Sequence, residues 1–111
     1  MNYPTRINEQ RKESRVTLDL PAQIRIGSQL SLRGTLKNLS LKSAFITLRN
    51  SVYLQLHDEV GFSIQPSLLG AAEPIEGLGR ISRIAAGEGL AIYFTRMDQH
   101  STGRLRDLLK P

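Results

Sequence analysis

The chain has no cysteine, so neither a disulfide framework nor a thiolate metal site is open to it. No apolar run is long enough to cross a bilayer, and the opening "MNYPTRINEQ" lacks the hydrophobic centre of a signal peptide. These absences lead to the expectation of a cytoplasmic protein without membrane insertion. Aromatic residues are scarce, at 5%. Surfaces that bind single-stranded nucleic acid interleave aromatics with basic residues. Here the alternation around Phe45 and Phe62 is expected to turn both rings into a core, which leaves a nucleic acid polymer the weakest class of partner.

Catalytic chemistry is thinly supplied as well. There are two histidines, His57 and His100, far apart in sequence. "HDE" at 57–59 offers ligand types, but strand neighbours project to opposite faces, so a solvated strand start accounts for it better than a metal site. Neither Ser63 nor Ser82 has a recognisable base to activate it. "GLG" and "GEG" lack the strand–glycine–helix setting of a dinucleotide fingerprint and read as turn and packing glycines. The sequence therefore leads us to expect no enzyme, no catalytic residue, no cofactor and no metal.

What the chain does have is enough apolar residue, 40% of 111, for one domain with one core. Its charge is uneven. Residues 1–50 hold nine Lys/Arg and three Asp/Glu, or +6, while residues 51–111 hold six and seven, or −1. A basic first half suits an anionic partner, although on charge alone a solvated face is the better explanation.

Residues 1–10 are polar, contain Pro4 and read as a flexible N-terminal arm. From Val16 to Ile26 the even positions are apolar, the period of a strand with one buried face. Pro21 has no N–H to give and argues for an edge or a bulge. "GSQ" marks a turn, after which Leu30, Leu32, Gly34 and Leu36 resume the alternation. Then apolar parity switches: Asn38 and Ser40 take the even places, and Leu39 and Leu41 the odd ones. A regular strand cannot exchange faces, so a turn or bulge is required in "NLSLKS". Strand patterns return in "SAFITLR" and "DEVGFSIQ". "IEGLGRISRI" and "GLAIYFTRM" pair around "AAGEG" as a hairpin. Leu105, Leu108 and Leu109 fall at helical spacing, with Asp98 or Ser101 as the N-cap. These segments predict an all-β fold, an antiparallel barrel or sandwich, with a short C-terminal amphipathic helix.

Two polar motifs flank the first strand pair. In "RKESR", Arg11 and Arg15 stand four apart. A guanidinium is a planar fork that matches phosphate and the guanine edge, and it also stacks on purine faces. In "NLSLKS", Asn38 and Ser40 are two apart and share a side of an extended chain. An Asn amide both donates to and accepts from a purine edge, and a Ser hydroxyl bonds phosphate or base. Each motif alone has a plain explanation, a solvated loop for the first and a self-satisfied turn for the second. Their order at the two ends of a strand pair is the specific feature.

RxxxR followed by [D/N]xSxxG near the start of a small β protein resembles the PilZ domain family. The hairpin "GRISRIAAGEGLAIYFTRM" and the leucine-bearing tail resemble the family's late strands and C-terminal helix. The resemblance implies a six-stranded antiparallel PilZ-type β-barrel over residues 11–111, with the barrel at about 15–96 and the helix at about 98–110. It implies cyclic di-GMP as ligand, a bacterial second messenger, with Arg11 and Arg15 on phosphates and guanine faces. Asn38 would meet a guanine edge, and Ser40 a base or phosphate. It implies a stand-alone receptor whose arm orders over the barrel and signals to an unidentified protein partner in motility, biofilm or exopolysaccharide output. The family also contains protein-interaction modules that bind no cyclic di-GMP, for example in type IV pilus assembly. One position departs from the motif: Ser43 stands where the family places glycine. A backbone turning with positive φ is expected there, with serine under strain.

Overall fold

A computed structural model describes residues 15–28, 30–48, 54–67 and 72–110. The arm and Arg11 lie outside them. Six strands run in the order β1 (Val16–Ile26), β2 (Leu30–Leu39), β3 (Ser43–Leu48), β4 (Glu59–Ile64), β5 (Ile75–Ala85) and β6 (Gly89–Met97), followed by a helix, α1 (Gln99–Leu109). They close into a barrel with neighbours β1-β2-β3-β6-β5-β4, every pair antiparallel.

The inner face follows the alternation. Leu20, Ala22 and Ile24 of β1 are buried, as are Val60, Phe62 and Ile64 of β4 and Leu90 and Ile92 of β6. Each large aliphatic or aromatic residue removed from water in this way contributes about 1.5–3 kcal/mol. Turns sit where glycine permits a left-handed backbone, Gly27 at φ 62° and Gly87 at φ 78°. Pro21 is in a paired strand opposite Thr35, not on an edge. Its carbonyl accepts from the Gln65 amide just past the end of β4. Its nitrogen faces the same way, so proline forgoes only the return bond to Gln65, at the end of the β1–β4 ladder.

The parity switch after Leu36 is a bulge. β2 gains one residue on β3 between Leu36 and Asn38, so Leu36 and Leu39 both point into the core. β1 is irregular opposite, between Thr17 and Leu20, and the exposed pair Lys37–Asp19 joins the two irregular segments.

One aromatic departs from expectation. Phe62 is in the core, stacked on Phe94 with ring centroids 4.8 Å apart, but Phe45 is on the outer face, half-buried. In β3 the inward places go to Ala44, Ile46 and Leu48. Three apolar positions in one register outweigh a single ring flanked by Ser43 and Thr47.

The helix begins as its residues dictate. The Asp98 carboxylate accepts the Ser101 amide at 2.7 Å and caps the N-terminus. That bond holds the Asp98 carboxyl below its usual pKa. The Ser101 side chain makes a longer-range link. Its buried hydroxyl accepts the Glu76 amide at 2.9 Å and ties α1 to the start of β5. Leu105 and Leu109 cover the core beneath. Among the described residues no helix is long and apolar enough to cross a membrane.

Candidate functional site

The strand register sets a row of side chains across the outside of the barrel. Thr17 pairs with Asn38, Asn38 with Phe45, Phe45 with Ala91, and Ala91 with Arg83. Paired residues in a sheet share a face. The row therefore crosses five strands, β1, β2, β3, β6 and β5.

Asn38 reaches this face through the Lys37 bulge. Just beyond it the chain turns around Ser40. The Ser40 hydroxyl accepts the amides of Lys42 at 3.2 Å and Ser43 at 3.1 Å, and it lies 3.2 Å from the Ser43 hydroxyl. The Ser40 amide donates to the Ser43 carbonyl at 2.9 Å. With 2% of its surface exposed, Ser40 holds the turn from within.

Ser43 does not have the positive φ that the sequence suggested; among the described non-glycine residues only His57 does, at φ 72°. Ser43 is the first residue of β3 and pairs with Tyr93. The switch of faces that motivated the expectation is absorbed upstream, by the bulge and the Ser40 turn. Serine is accommodated there without backbone strain.

Arg15, Asn38, Ser40 and Ser43 line one groove of about 540 Å³. Four of the five residues singled out from sequence are thus brought together, and the fifth, Arg11, is outside the described residues. Arg15 and Asn38 are exposed, Ser43 is half-buried and Ser40 is beneath the surface. A larger depression, about 630 Å³ over Leu32, Thr35, Thr47 and Gly87, carries a single cation, Arg33, and no aromatic.

Sequence reasoning missed the far wall of the groove, formed by Phe45, Ser82, Arg83, Glu88 and Ala91. Arg83 is on the outer face because β5 carries a second bulge, between Ile81 and Arg83. Ile81 and Ile84, three apart, both pack inward, which is the same parity break as Leu36 and Leu39. That break was the available signal. Arg83 then reaches across the small Ala91 and places its guanidinium carbon 5.3 Å from the centre of the Phe45 ring. The groove so built offers two guanidiniums, an exposed amide and an aromatic floor beside one carboxylate, Glu88; the cations outnumber the acid, which suits an anion that also has flat faces.

The comparisons with known proteins agree on the architecture. The inhibitor of motility MotI/DgrA of Bacillus subtilis superposes with a TM-score of 0.75 at 15% identity, over 90% of this chain and 49% of that one. The chain thus spans about half the length of that protein. The PilZ domain of YcgR from Escherichia coli, in a structure with c-di-GMP, gives 0.71 at 14% identity, covering 90% of this chain and 88% of that one. The PilZ domain of CeSA from a cellulose-synthesizing bacterium gives 0.59 at 21% identity, covering 86% and 93%. No curated protein matches the sequence. At these identities the likeness establishes the fold, and the family rests on the sequence itself. The PilZ domain model matches residues 9–110, from ahead of the first arginine motif through the last turn of α1, so the chain belongs to the PilZ domain family.

Proposed function

We propose that the protein is a non-enzymatic receptor for cyclic di-GMP, which binds in the groove on the outer face of β2, β3, β5 and β6 and is clasped by Arg11 and Arg15. The observation that carries this reading is the convergence of Arg15, Asn38, Ser40 and Ser43 on one groove from two separate motifs. Arg15 supplies a planar cation for phosphate or a guanine face. Asn38 presents an amide to a base edge. Ser40 acts through the turn, fixing where Asn38 and the start of β3 stand. Closure of the arm over the bound ligand gives a surface that a protein partner reads, with motility or polysaccharide synthesis as the class of output.

Calorimetric titration of the chain with cyclic di-GMP, with GTP as control, tests the reading. Binding by cyclic di-GMP alone is expected. Arg15→Ala and Arg11→Ala should each weaken it about ten- to a hundredfold, the effect of losing a charge-assisted bond of roughly 1.5–3 kcal/mol. Thermal stability should hardly change, since Arg15 is exposed. Affinity should fall only gently with salt and resist competition by single-stranded DNA, because a dinucleotide lacks the condensed counterions of a polymer.

A second reading is a protein-interaction module that binds no nucleotide. Ser43 in place of the motif glycine favours it, but the absence of positive φ there removes the backbone reason for requiring glycine. Silence in the titration would select this second reading.

A further inference from the structure

We infer that Arg83, backed by Phe45, is a stacking plate for one purine base of the bound ligand. This rests on the proposed function and adds to it a residue outside both motifs. A guanidinium is flat and has two faces. The Phe45 ring takes one, at 5.3 Å from the guanidinium carbon to the ring centre. Arg83 also lines the groove, opposite Arg15 and Asn38. The plate is therefore presented to the volume the ligand would fill.

Three local features put it there. The extra residue at Ser82 turns Arg83 out of the barrel, where strict alternation from Ile81 would have turned it in. Ala91, between Phe45 and Arg83 in the row, is too small to block the arm. Among the described residues no carboxylate pairs with Arg83 at salt-bridge distance, so the cation rests on the ring and not on an acid. Stacking on a guanidinium or an aromatic surface recognises the face of a base and tolerates any base, while an amide reads its edge. Arg83 thus supplies affinity, and Asn38 the choice of guanine.

Titration with cyclic di-GMP and cyclic di-AMP of the parent, Arg83→Ala, Arg83→Lys, Phe45→Leu and Arg15→Ala tests the assignment. Arg83→Ala is expected to lose roughly tenfold in affinity for cyclic di-GMP, within the range of base stacking. Its guanine-to-adenine preference should stay unchanged. Arg83→Lys keeps the charge and loses the flat face, so it should behave like the alanine variant. Phe45→Leu keeps apolar bulk and should lose less. A lysine variant that binds like the parent would reduce Arg83 to a charge and overturn the plate. Parent-like binding by Arg83→Ala, with loss in Arg15→Ala, overturns the plate and leaves the receptor reading standing. A parent that binds neither dinucleotide overturns both.

Discussion

At Lys37 in β2 and at Ser82 in β5, one strand carries a residue that its neighbour does not match. Both irregularities lie beside the groove, and both bring two apolar residues three apart onto the inner face, Leu36 with Leu39 and Ile81 with Ile84. They differ in how the outward side chain is then held. Asn38 follows a bulge braced on one side by the Lys37–Asp19 pair and on the other by the buried Ser40 turn. Its short side chain goes where the backbone goes. Arg83 follows a bulge inside a long hairpin and sits on a flexible stem, with the Phe45 ring beneath its guanidinium. One side of the site is set by main-chain hydrogen bonds and the other by a side-chain contact worth about 0.5–1 kcal/mol at an exposed position.

The most forceful way to break this comparison is to delete the extra residues in turn. Deleting Lys37 must expose Leu39 or bury Asn38, and about 3 kcal/mol or more of stability should be lost. Deleting Ser82 must expose Ile84 or bury Arg83. Ile84 is already partly exposed, so exposing it further should cost less than the Lys37 deletion. Urea melts of the two deletion variants measure the difference. Equal midpoints would mean that the two bulges are equally braced.

Ser40 and Ser43 sharpen the same contrast at smaller scale. Ser40→Ala leaves the Lys42 and Ser43 amides without their acceptor inside the turn, and should cost about 1–3 kcal/mol. It should also weaken ligand binding, because Asn38 loses its support. Ser43→Gly should cost only about 0.5–1 kcal/mol, from the added freedom of glycine in a strand, with no gain from relieved strain. A glycine variant more stable than the parent would restore the positive φ that the family motif suggests.

His57, away from the groove, has the backbone that Ser43 was expected to have, and it is exposed. His57→Gly should raise stability by about 0.5 kcal/mol, the relief of a left-handed conformation less the entropy of glycine. Binding should not change.

The smallest effect concerns pH at Asp98. Its carboxyl titrates below the usual carboxylate value because the charged form accepts the Ser101 amide. The cap therefore contributes fully above the usual value of 3.8 and is lost as pH falls through the lower folded value. Asp98→Asn should flatten that part of the stability profile between about pH 5 and pH 2, a range set by ordinary carboxylate titration. An unchanged profile would remove the cap from the acid response.

The legible parts of this molecule are those fixed over short distances. The even positions of β1, the glycine turns, the Asp98 cap and the break between Leu36 and Leu39 all follow from neighbours in sequence. Barrel closure does not: the pairing of β1 with β4 and β3 with β6 joins segments far apart, and no local pattern names the partner. Phe45 lies outside against expectation because "AFI" is apolar throughout, and only the register of the whole strand decides which residues turn in. Arg83 is hidden for a related reason. "ISRI" holds the same parity break as the first bulge, but two polar residues between isoleucines fit the outside of a strand in either register. Half of the groove is thus spelled in motifs, while the other half comes from strands that meet only in the folded barrel.

Closure also restricts how the proposed receptor could recruit an output protein. Many small β domains capture a partner by letting an extended segment join the sheet as an extra strand, an arrangement that needs unpaired main-chain donors and acceptors along one side. Each of the six strands here has two hydrogen-bonded neighbours. Among the described residues such an added strand finds no wholly free sheet edge, which also leaves little template for amyloid-like stacking. On the described barrel wall, Tyr93 and Leu41 are exposed apolar groups flanking the first residues of β3, where a partner that reads the closed arm would also find side chains to grip.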